Sequence, residues 1–325
     1  MSDVFAPARS RQRTRLLLLA GLAGLLALPA VLNDYTQYIV NAILVYSLAG
    51  LGFNIVLGYL GQLAFANAAF FGLGAYATAL GMRLFGIPFW LMLLPAAAIG
   101  AAAGALTTLP ALRLRRYYLA IVTMTLSELL RWVYVHAEVT GGSSGLAVPD
   151  ASIFGVTLDT GARKYYFCFV VTIAVYVAVR RLLRSRAGRA IAAVRQNEAA
   201  AASLGIEPAR IKLLAFALSG AIVAIAGALF SILLGRIDPS GFDLSQLLLQ
   251  FAIVMIGGLG SLGGSALGAV LLTGAPELLR DLPGLEEIAF ALLLIGVLIF
   301  VPTGLGGILG RRIPVFADRF HGDPQ

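Results

Sequence analysis

Glu128 and Arg131 stand three residues apart inside an otherwise apolar run, so on a helix they share one face and can form an ion pair. Ionisable groups are costly in hydrocarbon and usually turn toward a bundle interior or a water-filled cavity. Two readings stay level: part of a path for a solute, or a structural pair that orients its helix while Arg131 snorkels to the boundary. A second polar group sits in the glycine-rich stretch from Gly58 through Gly61, Gln62, Asn67 and Gly72 to Gly74. Small residues let helices approach closely in lipid, which is the commoner use; a broken helix whose freed backbone lines a cavity beside Gln62 and Asn67 is the sharper one. The third feature, Gly257 to Gly268 with Gly260 and Gly263, interrupts a hydrophobic run that otherwise extends from Leu247 to Leu272. Glycine this dense predicts two short helices meeting at a tight turn. A phosphate-cradling loop would need a following Lys-Ser/Thr pair, and none follows. Gln62, Asn67, Glu128, Arg131, Gly260 and Gly263 are therefore the candidates for a translocation path.

Catalytic and metal chemistry find little footing. The histidines are His136 and His321, Cys168 is the one cysteine, and no acidic cluster falls within a span, so no metal site is expected. No Ser/His/Asp set assembles, and neither catalytic nor cofactor-binding residues are assigned. A proton-coupled carrier would be expected to carry carboxylate or histidine relays in the membrane, and Glu128 alone does not make one. Energy for active transport is thus expected from outside this chain.

The elements that must position these residues are membrane helices. The 325 residues are 59% hydrophobic and 12% charged, with a mean hydropathy of +0.90, whereas soluble domains carry about 25% charged residues. A bilayer core needs about 20 apolar helical residues per crossing. Runs of that kind fall at 16–32, 38–57, 62–81, 87–109, 118–136, 165–183, 212–234, 245–259, 264–276 and 287–303. The first is longer than a usual signal core, and Asn33-Asp34-Tyr35 after it is no cleavage site, so it is expected to be retained. The fold class is all-α, a polytopic bundle of about ten spans forming one transmembrane domain over 1–325, with no soluble domain. Five spans on each side of the 137–164 loop permit a 5+5 inverted repeat, although no residue-level self-similarity supports it.

Orientation follows from charge. With the N-terminus inside, 18 of the 24 Lys and Arg residues fall in inside segments, as short cytoplasmic loops require. Both termini are then cytoplasmic. The net charge of +8 is spread over several short loops, which gives a nucleic-acid role no support. The outside loop, with Thr140-Gly-Gly-Ser-Ser-Gly145, reads as a flexible connector or as a docking surface for an extracytoplasmic partner. The inside loop, 184–211, is alanine-rich and helical in propensity. Ile191, Val194 and Arg195, then Glu198, Ala201 and Ala202, recur at helical spacing, and Gly205 and Pro208 supply a stop. One short cytoplasmic helix is expected, either a solvated connector or a plug for a partner's groove.

That loop resembles a known one. Gly188-Arg189, Arg195-Gln196-Asn197-Glu198-Ala199-Ala200 and Gly205 are similar to the cytoplasmic EAA-type loop of ABC importer permeases. With Gly61-Gln62, Ala68-Ala69-Phe70-Phe71-Gly72, Tyr118 to Thr123, Thr140-Gly141-Gly142 and Lys212 to Phe216, the chain resembles the branched-chain amino acid permease family over roughly 40–305. The resemblance implies a non-enzymatic, pore-forming inner-membrane subunit importing branched-chain or other hydrophobic amino acids. It implies two ABC ATPase subunits that bind the ATP, a second homologous permease, a periplasmic substrate-binding protein and a small-molecule substrate. It also implies that Gly188, Arg189, Arg195, Asn197, Glu198, Ala200 and Gly205 form the ATPase-coupling segment. Where the family often has Gly-His, this chain has Ala66-Asn67; urea, short amides or other small compounds remain alternative substrates. A self-sufficient carrier or channel remains the alternative of another class.

Overall fold

The computed structural model describes residues 25, 28, 29, 32–113, 116–153, 155–279, 295, 296 and 304–307. Among them the expected apolar runs form helices. These are α1 (Asp34–Asn54), α2 (Asn67–Phe85), α3 (Phe89–Arg113), α4 (Arg116–His136), α5 (Gly161–Arg184), α6 (Arg186–Gln196), α7 (Glu198–Ser203), α8 (Pro208–Leu234), α9 (Leu244–Gly257) and α10 (Leu262–Leu279). Among the described residues six segments are long and apolar enough to cross a membrane: 34–59, 67–85, 89–112, 118–136, 161–184 and 208–234. Nearly all of the first and of the tenth expected spans lie outside the described residues, and so do both chain ends whose cytoplasmic placement was expected.

Burial sorts these six into two layers. The apolar windows of the segments at 34–59, 67–85 and 208–234 are 72%, 67% and 67% buried, against 28%, 22% and 28% for those at 89–112, 118–136 and 161–184. An all-apolar helix belongs either inside a large core or in lipid, and here both kinds occur side by side. Helix α8 is the centre, entered through Pro208 in its first turn and closed by left-handed Gly235, the usual asymmetry of helix ends. Glycines bring its neighbours onto its backbone. A Cβ built on Gly227 would lie 1.9 Å from the Phe71 carbonyl oxygen of α2, and one on Gly220 would lie 2.1 Å from that of Gly100 on α3. Apolar side chains gain nothing by leaving lipid, so such backbone approach is what holds membrane helices together. Gly227→Leu should therefore cost about 3 kcal/mol through overpacking, read as earlier thermal unfolding in detergent. An unchanged unfolding temperature would mean that α2 and α8 do not meet there.

The 137–164 loop is more ordered than a flexible connector. Leu146 and Ala147 (β1) pair antiparallel with Ile237 and Arg236 (β4), and Ser152–Ile153 (β2) pairs with Val156–Thr157 (β3). The Thr140 hydroxyl donates to the Tyr134 carbonyl at 2.8 Å, and the Arg236 Nε donates to the Ser144 carbonyl at 3.1 Å. Its turn residues give the bends and long-range backbone pairing holds them, a contact that local composition does not encode. The cytoplasmic-loop expectation also changes: two helices, α6 and α7, replace the single one. Asn197 separates them in an extended conformation, φ −159° and ψ 112°.

Candidate functional site

The break that follows α1 starts as a widened helical turn. Residues Ile55–Tyr59 form a π-helix, the Leu60 amide donates to the Ile55 carbonyl, the Gln62 amide donates to the Val56 carbonyl, and Gly61 turns the chain at φ +74°. Residues 61–66 are then non-helical before α2 begins at Asn67. Irregular backbone at this depth must be satisfied by protein. Helix α4 does so: the Phe65 amide donates to Thr123 Oγ1 at 2.7 Å, and Ser127 Oγ donates to the Phe65 carbonyl at 2.9 Å. The Gly58 to Gly74 stretch thus serves both ends foreseen for it, a helix break at 60–66 and close packing beyond. A Cβ on Gly74 would stand 2.0 Å from the Ala224 carbonyl oxygen.

The second glycine region makes the expected turn between α9 and α10, with Gly258 at φ +112° and Gly260 at φ +75°. Asn54, fully buried, joins it to the first. Its Nδ2 donates to the Ser261 carbonyl at 2.9 Å, to Ser265 Oγ at 2.9 Å and to the Gly258 carbonyl at 3.3 Å, and its Oδ1 accepts from the Gly260 amide at 2.8 Å. Gly58 permits this approach, since a Cβ there would lie 2.3 Å from the Gly260 nitrogen. An amide with two donors and an acceptor is suited to gripping a turn that offers carbonyls and an N–H together. Both breaks therefore meet at one end of the bundle.

A polar seam runs inward from this junction. Asn67 Nδ2 donates to Gln250 Oε1 at 3.0 Å and to the Ala49 carbonyl at 3.3 Å, linking α2, α9 and α1. Asn67 and Gln250 are buried, and Gln250 Nε2 and Gln62 Oε1 are buried with no hydrogen-bond partner among the described residues. Buried polar atoms are usually satisfied, so the seam holds hydrogen-bonding capacity that the surrounding protein does not use.

Of the remaining path candidates, Gly263 stands in the first turn of α10, next to the Asn54 junction. Glu128 and Arg131 do form the expected pair, at 2.8 Å, with side chains 40% and 39% exposed. The pair lies on the outer part of α4, while Thr123, Ser127 and Tyr134 on the same helix are buried. The structure thus brings Gln62, Asn67, Gly260 and Gly263 toward one region and leaves Glu128 and Arg131 on the flank of α4.

The 184–211 segment is built from local caps. Ser185 accepts from the Ala187 amide, Gly188 packs on the Leu183 backbone, and Ile191 and Val194 are buried in the bundle. Asn197 Oδ1 accepts from the Ala199 and Ala200 amides at 2.9 and 3.0 Å, the N-cap that starts α7. Glu198 pairs with Lys212 at 2.8 Å, Glu198 half-exposed and the Lys212 side chain 8% exposed. Ala201 is buried, whereas Ala199, Ala200, Ala202 and Ser203 are exposed; Leu204 is 79% exposed. Gly205 closes the turn at φ +81°. Of the residues implied by resemblance, Gly188, Asn197, Glu198 and Gly205 shape the segment and Ala200 lies on its outer face. Arg189 is exposed on α6, and Arg195 turns toward the glycine junction, its Cγ 3.0 Å from a Cβ built on Gly61.

Sequence reasoning missed Asn54, Gln250, Ser261 and Ser265. Their signal was present: amides and hydroxyls isolated in apolar runs, which must find partners once in the membrane.

Comparisons with known proteins identify the family of this chain. The family described as branched-chain amino acid transport system / permease component matches residues 35–302. The high-affinity branched-chain amino acid transport system permease protein LivM of Escherichia coli K12 is 35% identical over 91% of this chain and 76% of its own. BraD of Pseudomonas aeruginosa, a permease protein of the same kind of system, is 28% identical over 85% of this chain and 96% of its own. LivH of Salmonella typhimurium, another, is 28% identical over 82% and 91%. With a family match covering most of its length and that degree of identity to LivM, this chain belongs to the branched-chain amino acid transport permease family.

Proposed function

We propose that this chain is the pore-forming subunit of an ATP-driven importer for branched-chain or other hydrophobic amino acids, as a multi-pass protein of the bacterial inner membrane. The observation that carries the reading is family membership across residues 35–302, joined to relatives named for branched-chain amino acid transport. Two ATPase subunits, a second homologous permease and a periplasmic binding protein would complete the machine, and the ATP would bind the ATPases. The α7 segment is its docking element toward the ATPase: anchored by the Glu198–Lys212 pair, it presents Ala199, Ala200, Ala202, Ser203 and Leu204 outward. Both termini would lie on that cytoplasmic side, and about ten spans would complete the bundle.

The test is co-expression with ATPase, partner permease and binding protein, followed by ATP-dependent uptake of radiolabelled leucine into proteoliposomes, competed by isoleucine and valine. ATP hydrolysis without leucine movement would shift the substrate to urea, amides or other amino acids. Uptake without ATP or partners would replace the reading with a self-sufficient carrier. In the same assay Glu128→Gln should lower uptake severalfold with protein level unchanged, because a half-exposed ion pair on a membrane helix is costly unless it faces protein or water in the assembly. Loss of the protein from the membrane would instead give the pair a structural role.

A further inference from the structure

The side chain of Arg195 spans the distance between the docking segment and both helix breaks. It stands in the last turn of α6, one turn beyond buried Ile191 and beside buried Val194, so its backbone moves with that helix. Its stem crosses the first break: a Cβ built on Gly61 would lie 3.0 Å from Arg195 Cγ and 3.6 Å from Cδ. Its tip reaches the second, where a Cβ on Gly260 would lie 3.4 Å from Arg195 Nη1. Both glycines are left-handed, the conformation in which a side chain is strained, and both leave room for the arginine. The Gly260 turn is bonded to Asn54, one helical turn before Gly58, so a push on either turn reaches the other.

Charge does not explain this placement. Among the described residues no carboxylate pairs with Arg195, and its guanidinium makes no hydrogen bond. An arginine clamped by a carboxylate would be held to one partner. Its side chain is exposed and lies along the two turns at Gly61 and Gly260, which lets it follow its helix across them. On its other side α6 leads through Asn197 directly into α7.

We propose that Arg195 is the positioning residue that hands displacement of the α6–α7 segment to the Gly61 and Gly260 turns together, so that the two breaks shift as one unit. This rests on the docking role given above to α7, and it separates two jobs within one loop: the α7 face holds the ATPase, and Arg195 transmits. Coupling between sites of this kind is worth about 5- to 150-fold in equilibrium constants.

The experiment compares wild type, Arg195→Ala and Arg195→Met in the assembled complex in proteoliposomes, reading ATPase co-purification, ATP hydrolysis and leucine uptake. Arg195→Ala removes the stem and should lower uptake about tenfold with the ATPase still bound, so that ATP consumed per leucine rises by a similar factor. Arg195→Met keeps most of the stem without the charge and should recover much of the lost uptake. If Arg195→Ala sheds the ATPase, the residue belongs to the docking surface and the proposal fails while the docking reading stands. Uptake unchanged in Arg195→Ala, or Arg195→Met as poor as Arg195→Ala, also overturns it. If wild type binds no ATPase, the docking reading itself falls and this proposal with it.

Discussion

A chain carrying Leu204→Asp should lose its ATPase partner during purification while folding as before. Leu204 is 79% exposed, so the chain itself gains little from it, and its replacement should leave the thermal unfolding of the isolated permease unchanged. A large apolar side chain held that far into solvent on an anchored segment is what an interface uses as an anchor. Its neighbours suit the same purpose: alanines at 199, 200 and 202 give α7 a slim face that can enter a groove. Burying an aspartate in the place of leucine, against a partner pocket shaped for an aliphatic group, should cost about 2 kcal/mol or more. That is roughly a 30-fold weaker complex. Affinity-tagged permease would then retain much less ATPase after washing, and ATP-dependent uptake would fall with it. Full retention would remove α7 from the interface and with it the docking role of residues 198–205.

How much of this was legible in the sequence depends on which interactions decide each feature. Membrane helices are written in long apolar runs, and Asp34–Asn54, Phe89–Arg113 and Pro208–Leu234 fall where the runs at 38–57, 87–109 and 212–234 lie. The turn at Gly258–Gly260 was equally legible, since nothing else accounts for so many glycines in an apolar stretch. The break at 60–66 was harder. Gly61 alone is compatible with tight packing, and what holds the backbone open is Thr123 and Ser127, about sixty residues away. Asn54 stood out as an amide in an apolar run, but its partners were hidden for the same reason: they are more than two hundred positions downstream. The division of the inside loop at Asn197 was local, and an Asn before Glu198-Ala-Ala is a cap signal that helical periodicity overrode. The position of Glu128 and Arg131 on a bundle flank could not be read, because spacing says which residues share a helix face and says nothing of what that face meets.

Asn54→Asp is the substitution with the largest expected effect on the bundle itself. It changes one atom of the side chain from donor to acceptor and leaves its size almost unaltered. Asn54 Nδ2 gives hydrogen bonds to the Gly258 carbonyl, the Ser261 carbonyl and Ser265 Oγ; an ionised carboxylate can give none and would direct negative charge at two carbonyl oxygens. The bond from the Gly260 amide survives, and of the former acceptors only the Ser265 hydroxyl can turn to donate instead. A buried acceptor stranded without its donor costs about 1–3 kcal/mol, so loss of this set should destabilise the turn by about 3 kcal/mol or more. The effect should be local before it is global. Amide hydrogen exchange across residues 257–265 should rise roughly 100-fold, each 1.4 kcal/mol being a factor of ten, while the middle of α8 stays protected. Asn54→Leu provides the control in which polarity is lost without a charge: it strands the Gly260 amide as well, so the turn should still loosen, by less than with Asp. Exchange across 257–265 unchanged in both variants would show that glycine packing alone holds the turn. The joining of the two breaks would then have to rest on the contact between Gly58 and Gly260.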